Sequence, residues 1–112
     1  MSTHRISRIR QLNDMLRSLP VPPFGELVIT RGVAGLDQDD LAVVLDKVCR
    51  FGDFTPDNDS HGEHDFGAFE HLGVKDFWKI DYYDLQKQYH SPDPADPAVT
   101  CRVLTVMRAD EY

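Results

Sequence analysis

Apolar residues near the start of the chain recur every three or four positions. This stripe consists of Ile6, Ile9, Leu12, Leu16 and Leu19. Such spacing is typical of an amphipathic helix of about four turns, for which Ser2 or Thr3 is a suitable cap. Three prolines within residues 20–23 would end it, because proline cannot continue a helix. We therefore predict an N-terminal helix over residues 1–19.

Four arginines of this first segment lie mainly off the apolar stripe. They are Arg5, Arg8, Arg10 and Arg17. We interpret them as a solvated face of the helix. Contact with a phosphate or an acidic partner is the alternative.

A short strand and a second helix are predicted next. Residues 26–30 are rich in β-branched side chains, which favour a strand. Asp37 is a suitable cap for the following helix, since carboxylates stabilise the positive end of the helix dipole. Its buried face would consist of Leu41, Val44, Leu45 and Val48.

Alternating residues predict an antiparallel hairpin formed by residues 66–70 and 74–84. In the second strand, Trp78, Ile80 and Tyr82 share one face, which we assign to the core. The other face carries Phe77, Lys79, Asp81 and Tyr83. That mixed face suits either the wall of a binding cleft or a half-exposed sheet.

The last third of the chain contains one rigid crossing and one ambiguous segment. Residues 91–97 include three prolines and predict neither a helix nor a central strand. Residues 99–109 fit a strand by β-branching and also fit a capped helix; we favour the strand. The result is a single α+β domain over residues 1–112. It would have two helices packed on an antiparallel sheet of three or four strands.

The segment 52–67 is the strongest candidate for a functional region. Eight side chains in nine positions can bind a metal or exchange a proton or hydrogen bond: Asp57, Asn58, Asp59, Ser60, His61, Glu63, His64 and Asp65. An ordinary connecting loop requires turn formers but not this concentration of histidines and carboxylates. We call residues 52–67 the polar loop.

A divalent metal ion is one candidate ligand of the polar loop. The pair His61 and His64, together with Asp59, offers donors that suit zinc, manganese or iron. An EF-hand is not indicated, because Ala68 occupies the position where that motif needs a bidentate glutamate. A different calcium or magnesium loop stays open, since the segment is rich in oxygen ligands.

Acid–base chemistry without a metal is a second candidate. His64 has Glu63 and Asp65 as neighbours, and Asp81 would approach it if the loop folded over the sheet. His64 and Asp81 are therefore the predicted catalytic residues of a small hydrolase. A purely structural loop is the third possibility, since the Thr-Pro-Asp-Asn-Asp sequence is typical of turns.

Charge favours a binding function over catalysis. The net charge is −7; residues 1–51 carry seven Lys/Arg and six Asp/Glu, whereas residues 52–112 carry five and thirteen. Such an acidic half argues against direct nucleic-acid binding and suits a cation or a protein with a basic surface. Solubility alone is the alternative explanation of this charge. The predicted contact residues are Asp57, Asn58, Asp59, Glu63, Asp65, Trp78 and Tyr83.

The cysteines and the hydropathy favour a cytoplasmic setting. Cys49 and Cys101 match no metal or redox spacing and are predicted to be buried free thiols, which suits a reducing compartment. No apolar run approaches the roughly 20 residues of a membrane helix.

Several longer motifs resemble a family of small bacterial proteins known as a domain of unknown function. The motifs are Thr55-Pro-Asp-Asn-Asp59, Gly62-Glu-His-Asp-Phe-Gly67, Trp78-Lys-Ile-Asp-Tyr-Tyr-Asp84, Asp93-Pro-Ala-Asp-Pro97 and Arg102-Val-Leu-Thr-Val-Met107. The resemblance implies no activity or cofactor. It does imply plasmids and other mobile elements as a setting. We therefore expect a non-enzymatic protein-binding factor, for example an anti-defence protein that mimics nucleic acid. A metal-dependent hydrolase is the alternative.

Overall fold

Helices cover one face of a four-stranded sheet in the computed structural model, which describes residues 3–112. The elements are α1 (Thr3–Ser18), β1 (Glu26–Ile29), α2 (Arg31–Ala34), α3 (Gln38–Arg50), β2 (Phe66–His71), β3 (Val74–Tyr83) and β4 (Cys101–Arg108), with 3₁₀ turns at Pro97–Val99 and Ala109–Glu111. The predicted α+β class and single domain are confirmed, and α2 is a single additional turn. The predicted cap at Ser2 or Thr3 lies outside the described side chains.

The strands are ordered β1-β4-β3-β2, and the segment with ambiguous sequence is the strand β4. β4 pairs antiparallel with β3 and parallel with β1, so one strand pair departs from the predicted antiparallel arrangement. Because β4 is central, five of its eight residues are buried and its sequence does not alternate cleanly. That burial explains why a helix and a strand fitted the sequence almost equally well.

The hairpin β2–β3 turns at Leu72 and Gly73. Both residues have positive φ, 52° and 77°, as a two-residue type I′ turn requires. The glycine adopts this conformation without steric cost, whereas Leu72 is held there by the flanking strands. The turn fixes the register in which Gly67 lies opposite Trp78.

The core lies between the sheet and the two longer helices. Trp78, Leu104 and Val106 contribute from the sheet, and the predicted helix stripes contribute Ile9 and Val44 among others. As predicted, Asp37 caps α3: its carboxylate accepts a hydrogen bond from the amide of Asp40 at 2.8 Å. Burial of these apolar side chains is the main driving force for the fold.

The opposite face of the sheet is half-exposed. Phe77, Lys79, Asp81 and Tyr83 alternate there with the buried residues of β3. Lys79 and Asp81 form an ion pair at 2.8 Å. The ring of Tyr112 packs edge-on against Phe77 with centroids 5.8 Å apart. We call this surface the open face.

Both cysteines are free, as predicted, but the predicted burial is wrong for Cys49, which is exposed. Cys49 lies at the surface near the end of α3, where its Sγ is 3.8 Å from the carbonyl oxygen of Ser18. Cys101 is half-buried near the start of β4. None of the helices in residues 3–112 is long and apolar enough to cross a membrane.

Candidate functional site

The polar loop is anchored to α1 by three consecutive residues of the loop. Nε of Arg10 donates to the carbonyl of Gly62 at 2.8 Å, and Nδ2 of Asn13 donates to the carbonyl of Glu63 at 3.0 Å. Nδ1 of His64 lies 2.9 Å from Oδ1 of Asp14. The helical residues are spaced by three and four, so they lie on one face of α1. One side of α1 therefore fixes the inner edge of the loop.

His64 is held on several sides. Its ring stacks on Phe54 with centroids 3.7 Å apart and an interplanar angle of 3°. Its amide donates to Oδ1 of Asp59 at 3.1 Å, and Asp14 also accepts from Arg17 at 2.9 Å. The backbone of His64 has φ 55°, a conformation that costs a non-glycine residue about 1–2 kcal/mol. These contacts select that conformation and hold the imidazole at the interface between the loop and α1.

A buried polar network lies beneath the loop. Nδ2 of Asn13 donates to Oη of Tyr82 at 2.8 Å, and Oη of Tyr82 donates to Oε1 of Glu63 at 2.8 Å. Nε of Arg102 donates to Oδ1 of Asn13 at 2.9 Å, and its Nη2 donates to the carbonyl of Pro94. Desolvation by burial raises the pKa of Tyr82 strongly, so its hydroxyl keeps its proton and remains a donor. Glu63, a predicted contact residue, is thereby tied to the sheet.

The outer part of the loop is shaped by its own side chains. Oδ1 of Asn58 accepts from the amide of Thr55 at 2.8 Å, and its Nδ2 donates to the carbonyl of Asp53 at 2.8 Å. These bonds follow the predicted turn chemistry. The Asp59 side chain is only 7 % exposed and supports His64. Asp57 and His61 are exposed, so they present the polar surface of the loop.

The two predicted catalytic residues lie on different sides of the sheet. His64 contacts Asp14 on α1, which covers the core face, whereas Asp81 pairs with Lys79 on the open face. No hydrogen bond or ion pair links His64 to Asp81 within residues 3–112. Tyr83 also lies on the open face. Trp78 is fully buried and supports the loop through Phe54, whose ring centroid is 6.1 Å away.

A shallow depression of about 280 Å³ marks the place where the loop meets the end of β3. It is lined by Asp65, Ile80, Asp81, Tyr82, Tyr83 and His90. Three predicted site residues, Asp65, Asp81 and Tyr83, therefore share one depression. His90 was not predicted; it lies there because it forms an isolated bridge with Tyr83. No pattern in the sequence indicates that bridge.

Other important residues that the sequence did not reveal are on α1. Asn13 and Asp14 lie between the apolar residues of the α1 stripe without disturbing their spacing, so the sequence pattern does not indicate their role. Arg17 was interpreted as part of a solvated face, and that interpretation is wrong, because Arg17 is buried. Its guanidinium lies 4.7 Å from the Trp78 ring centroid and donates to the carbonyl of Val48 at 3.0 Å. The sequence offered one signal of this role: Arg17 follows Asp14 by three residues, a spacing that favours an ion pair on a helix.

Asp65 provides a pH-dependent prediction. Desolvation raises its pKa above the usual value, and the nearby charge of Glu63 raises it further. An acid whose pKa is higher in the folded state than in the unfolded state lowers the free energy of unfolding when it is ionised. This loss of stability is absent below the unfolded pKa, and it grows as the pH rises through the folded pKa. We expect Asp65→Asn to raise the melting temperature at pH 7 and to leave it unchanged near pH 3, as thermal unfolding followed by circular dichroism would show. An equal gain at both values would contradict the assignment.

The predicted metal set of His61, His64 and Asp59 is spread over different environments. Residues 3–112 contain no group of three or more His, Cys, Asp or Glu side chains placed to hold a metal ion. Because His64 also has a structural role, a double histidine variant would confuse loss of metal with loss of packing. The informative single change is His61→Ala, because the side chain of His61 is exposed.

We expect His61→Ala to leave the melting temperature unchanged, within about 1 °C, with and without chelator. In contrast, His64→Ala should lower it by about 4–8 °C in both conditions, because a loss of about 1 kcal/mol has that effect in a domain of this size. Differential scanning calorimetry with metal analysis of the same samples is the measurement. Stoichiometric metal that is lost in His61→Ala would contradict this expectation and restore the metal site.

The comparisons with known proteins give a family but no function. The family model described as "Protein of unknown function (DUF3768)" matches residues 29–111. The match includes the polar loop and β2 to β4, while α1 and most of β1 lie outside it. No curated protein and no solved structure matches the chain. Since the match spans about three quarters of the chain, the protein belongs to the DUF3768 family.

Proposed function

We propose that this protein is a non-enzymatic protein-binding factor that presents the polar loop to a basic surface of its partner. The observation that carries the proposal is the acidic character of a fixed loop. Between Arg50 and Lys75 the chain has six carboxylates and no lysine or arginine. The anchors on α1 hold this segment in place before any partner arrives. A preorganised loop loses less conformational entropy on binding.

The pairing of carboxylates supports the choice of this surface. Six carboxylates elsewhere form ion pairs with lysine or arginine: Asp14, Glu26, Asp46, Asp81, Asp93 and Asp110. In the described part of the chain, none of the five carboxylates of the polar loop has such a pair. Uncompensated negative charge attracts cationic surfaces and accelerates association with them.

The chemistry of the loop also suggests the class of partner. Closely spaced carboxylates on a rigid support can occupy a site that normally holds nucleic-acid phosphates. We therefore extend the proposal to a basic, nucleic-acid-binding protein of the bacterial cytoplasm. An anti-defence role agrees with the mobile-element setting that the sequence motifs imply. Hydrolysis is not proposed, because His64 and Asp81 lie on different sides of the sheet.

The test compares two double variants with the same change in net charge. Asp53→Asn/Asp57→Asn removes two exposed charges from the loop. Neither carboxylate forms a hydrogen bond or an ion pair in the described structure. Asp39→Asn/Asp46→Asn removes two exposed charges from α3. Each immobilised protein is incubated with bacterial extract at about 0.1 and 0.3 M salt, and the retained proteins are quantified by mass spectrometry.

We expect one or a few basic proteins to be retained by the wild type and by the α3 variant. The loop variant should retain about five- to tenfold less, since two exposed charge pairs contribute about 1–1.5 kcal/mol together. Higher salt should weaken retention through screening, and added nucleic acid should compete. Equal retention by the loop variant, or no protein enriched above the blank, would refute the proposal.

A further inference from the structure

A groove of about 560 Å³ runs between α1, the turn before β1 and the start of β4. Its lining includes Arg8, Met15, Phe24, Glu26, Leu85 and Arg102. Its volume falls within the range of about 300–1,000 Å³ that is typical of small-molecule sites. The groove combines an apolar wall with cationic side chains, which is the chemistry of a site for an amphipathic anion.

Two guanidinium groups in this groove have no carboxylate partner among residues 3–112. Arg102 is only 3 % exposed, yet its hydrogen-bond acceptors in the described structure are neutral: the amide oxygen of Asn13 and the carbonyl of Pro94. Arg8 donates to the amide of Gln11 at 3.1 Å. Among residues 3–112, neither arginine forms an ion pair. Buried cations are usually paired with an anion.

The electrostatics around Arg102 agree with an anion site. Burial is the main cause that lowers its pKa, and the charge of Arg8 lowers it further, whereas Tyr82 and Glu63 act in the opposite direction. Arg8 and Arg102 both line this groove, and their like charges repel one another. A bound anion would relieve both the desolvation of Arg102 and this repulsion.

Glu26 is the one carboxylate among the described residues that line the groove, and it does not fill this role. Oε2 of Glu26 lies 2.6 Å from Nζ of Lys87 and accepts from the thiol of Cys101 at 3.0 Å. Glu26 is therefore already engaged at the other end of the groove. With three cations and one carboxylate, the lining is positive, although the whole protein has a net charge of −7.

The apolar wall of the groove remains accessible. Met15 is 38 % exposed and Leu85 is 60 % exposed, and Leu12 and Phe24 also line the groove. Exposed apolar surface of this kind, next to fixed charges, is characteristic of ligand grooves. An acyl chain lying along it would bury these side chains.

We propose that the groove binds a small amphipathic anion. Its carboxylate or phosphate head would lie between Arg8 and Arg102, and its apolar chain would extend along Met15, Phe24 and Leu85. Guanidinium groups suit both head groups, because their paired donors match two oxygens at once.

The test uses octanoate, octyl phosphate and 1-octanol as probes with an apolar chain in common. Titration calorimetry gives the affinity, and ¹³C-methyl labelling of methionine gives the location. Met15 lines the groove, whereas Met107 is buried on the other side of the sheet and serves as an internal control. The variants are Arg8→Gln and Leu85→Ser, with Arg31→Gln as the control for loss of an exposed arginine outside the groove.

We expect at least one of the two anions to bind with a dissociation constant below about 1 mM and to shift the Met15 resonance but not that of Met107. Arg8→Gln should weaken binding about tenfold, Leu85→Ser should weaken it severalfold, and Arg31→Gln should not change it. The stronger anion identifies the head group. The proposal fails if octanol binds as tightly as the anions, if Arg8→Gln binds like the wild type, or if neither anion saturates.

Discussion

Replacing Gly67 with alanine is expected to lower the free energy of unfolding by about 3 kcal/mol or more. A Cβ at this position would lie 2.2 Å from Nε1 and 2.6 Å from Cε2 of Trp78. The indole is fully buried, so it cannot move aside without disturbing the core. Urea unfolding followed by circular dichroism measures the loss.

Gly52→Ala is the matched control, because the nearest neighbour of its Cβ is the carbonyl oxygen of Arg50 at 3.9 Å. That change should alter the free energy of unfolding by no more than about 0.5 kcal/mol. Trp78 is the only tryptophan, so its fluorescence reports directly on the displaced indole. A Gly67→Ala variant with unchanged stability and emission would show that the packing of Gly67 against Trp78 has been misassigned.

Asn13→Ala is expected to destabilise the protein by about 3 kcal/mol and to loosen the polar loop. Asn13 is fully buried, and it bonds to the carbonyl of Glu63, the hydroxyl of Tyr82 and Nε of Arg102. Alanine would leave Nε of a buried guanidinium without an acceptor, which costs more than the lost bonds themselves. Urea unfolding measures the energy, and limited proteolysis within residues 53–61 measures the loosening.

Gln11→Ala provides the comparison on the same helix. Gln11 is exposed and accepts only from Arg8 in the described structure, so its loss should cost less than about 0.5 kcal/mol and leave proteolysis unchanged. If Asn13→Ala destabilises the protein but the loop is cut no faster, the network stabilises the core without fixing the loop. The network would then not preorganise the loop, and the proposed binding function would lose that support.

The sequence predicted the elements of the fold better than their pairing. Helical spacing and strand alternation report which side of an element is buried. Those patterns placed the core face of β3 correctly, and Ile9 and Leu16 of the predicted α1 stripe are in the core. Leu19 was wrongly included in the stripe, because it lies beyond the end of α1 and is exposed. The patterns indicated the local hairpin β2–β3 but carry no information about which distant strands are neighbours. The parallel pairing of β1 with β4 depends on contacts between distant segments, so local patterns could not reveal it.

The candidate site shows the same limit. Turn chemistry around Asn58 was readable, because a side chain that bonds to its own loop acts over a few residues. The anchors on α1 act across about 50 positions, and a buried asparagine has no periodic signature. The sequence therefore did not show whether His64 is catalytic, metal-binding or structural. In the structure, its imidazole contacts Asp14.

The parallel pairing of β1 with β4 has a consequence for synthesis on the ribosome. Each residue of β1 pairs with a residue 77 positions further along the chain. At about 5–20 residues per second, β1 waits roughly 4–15 seconds for its partner strand. During that interval Leu27 and Ile29 have no strand beside them, so the nascent chain passes through a stage in which a chaperone has apolar residues to recognise.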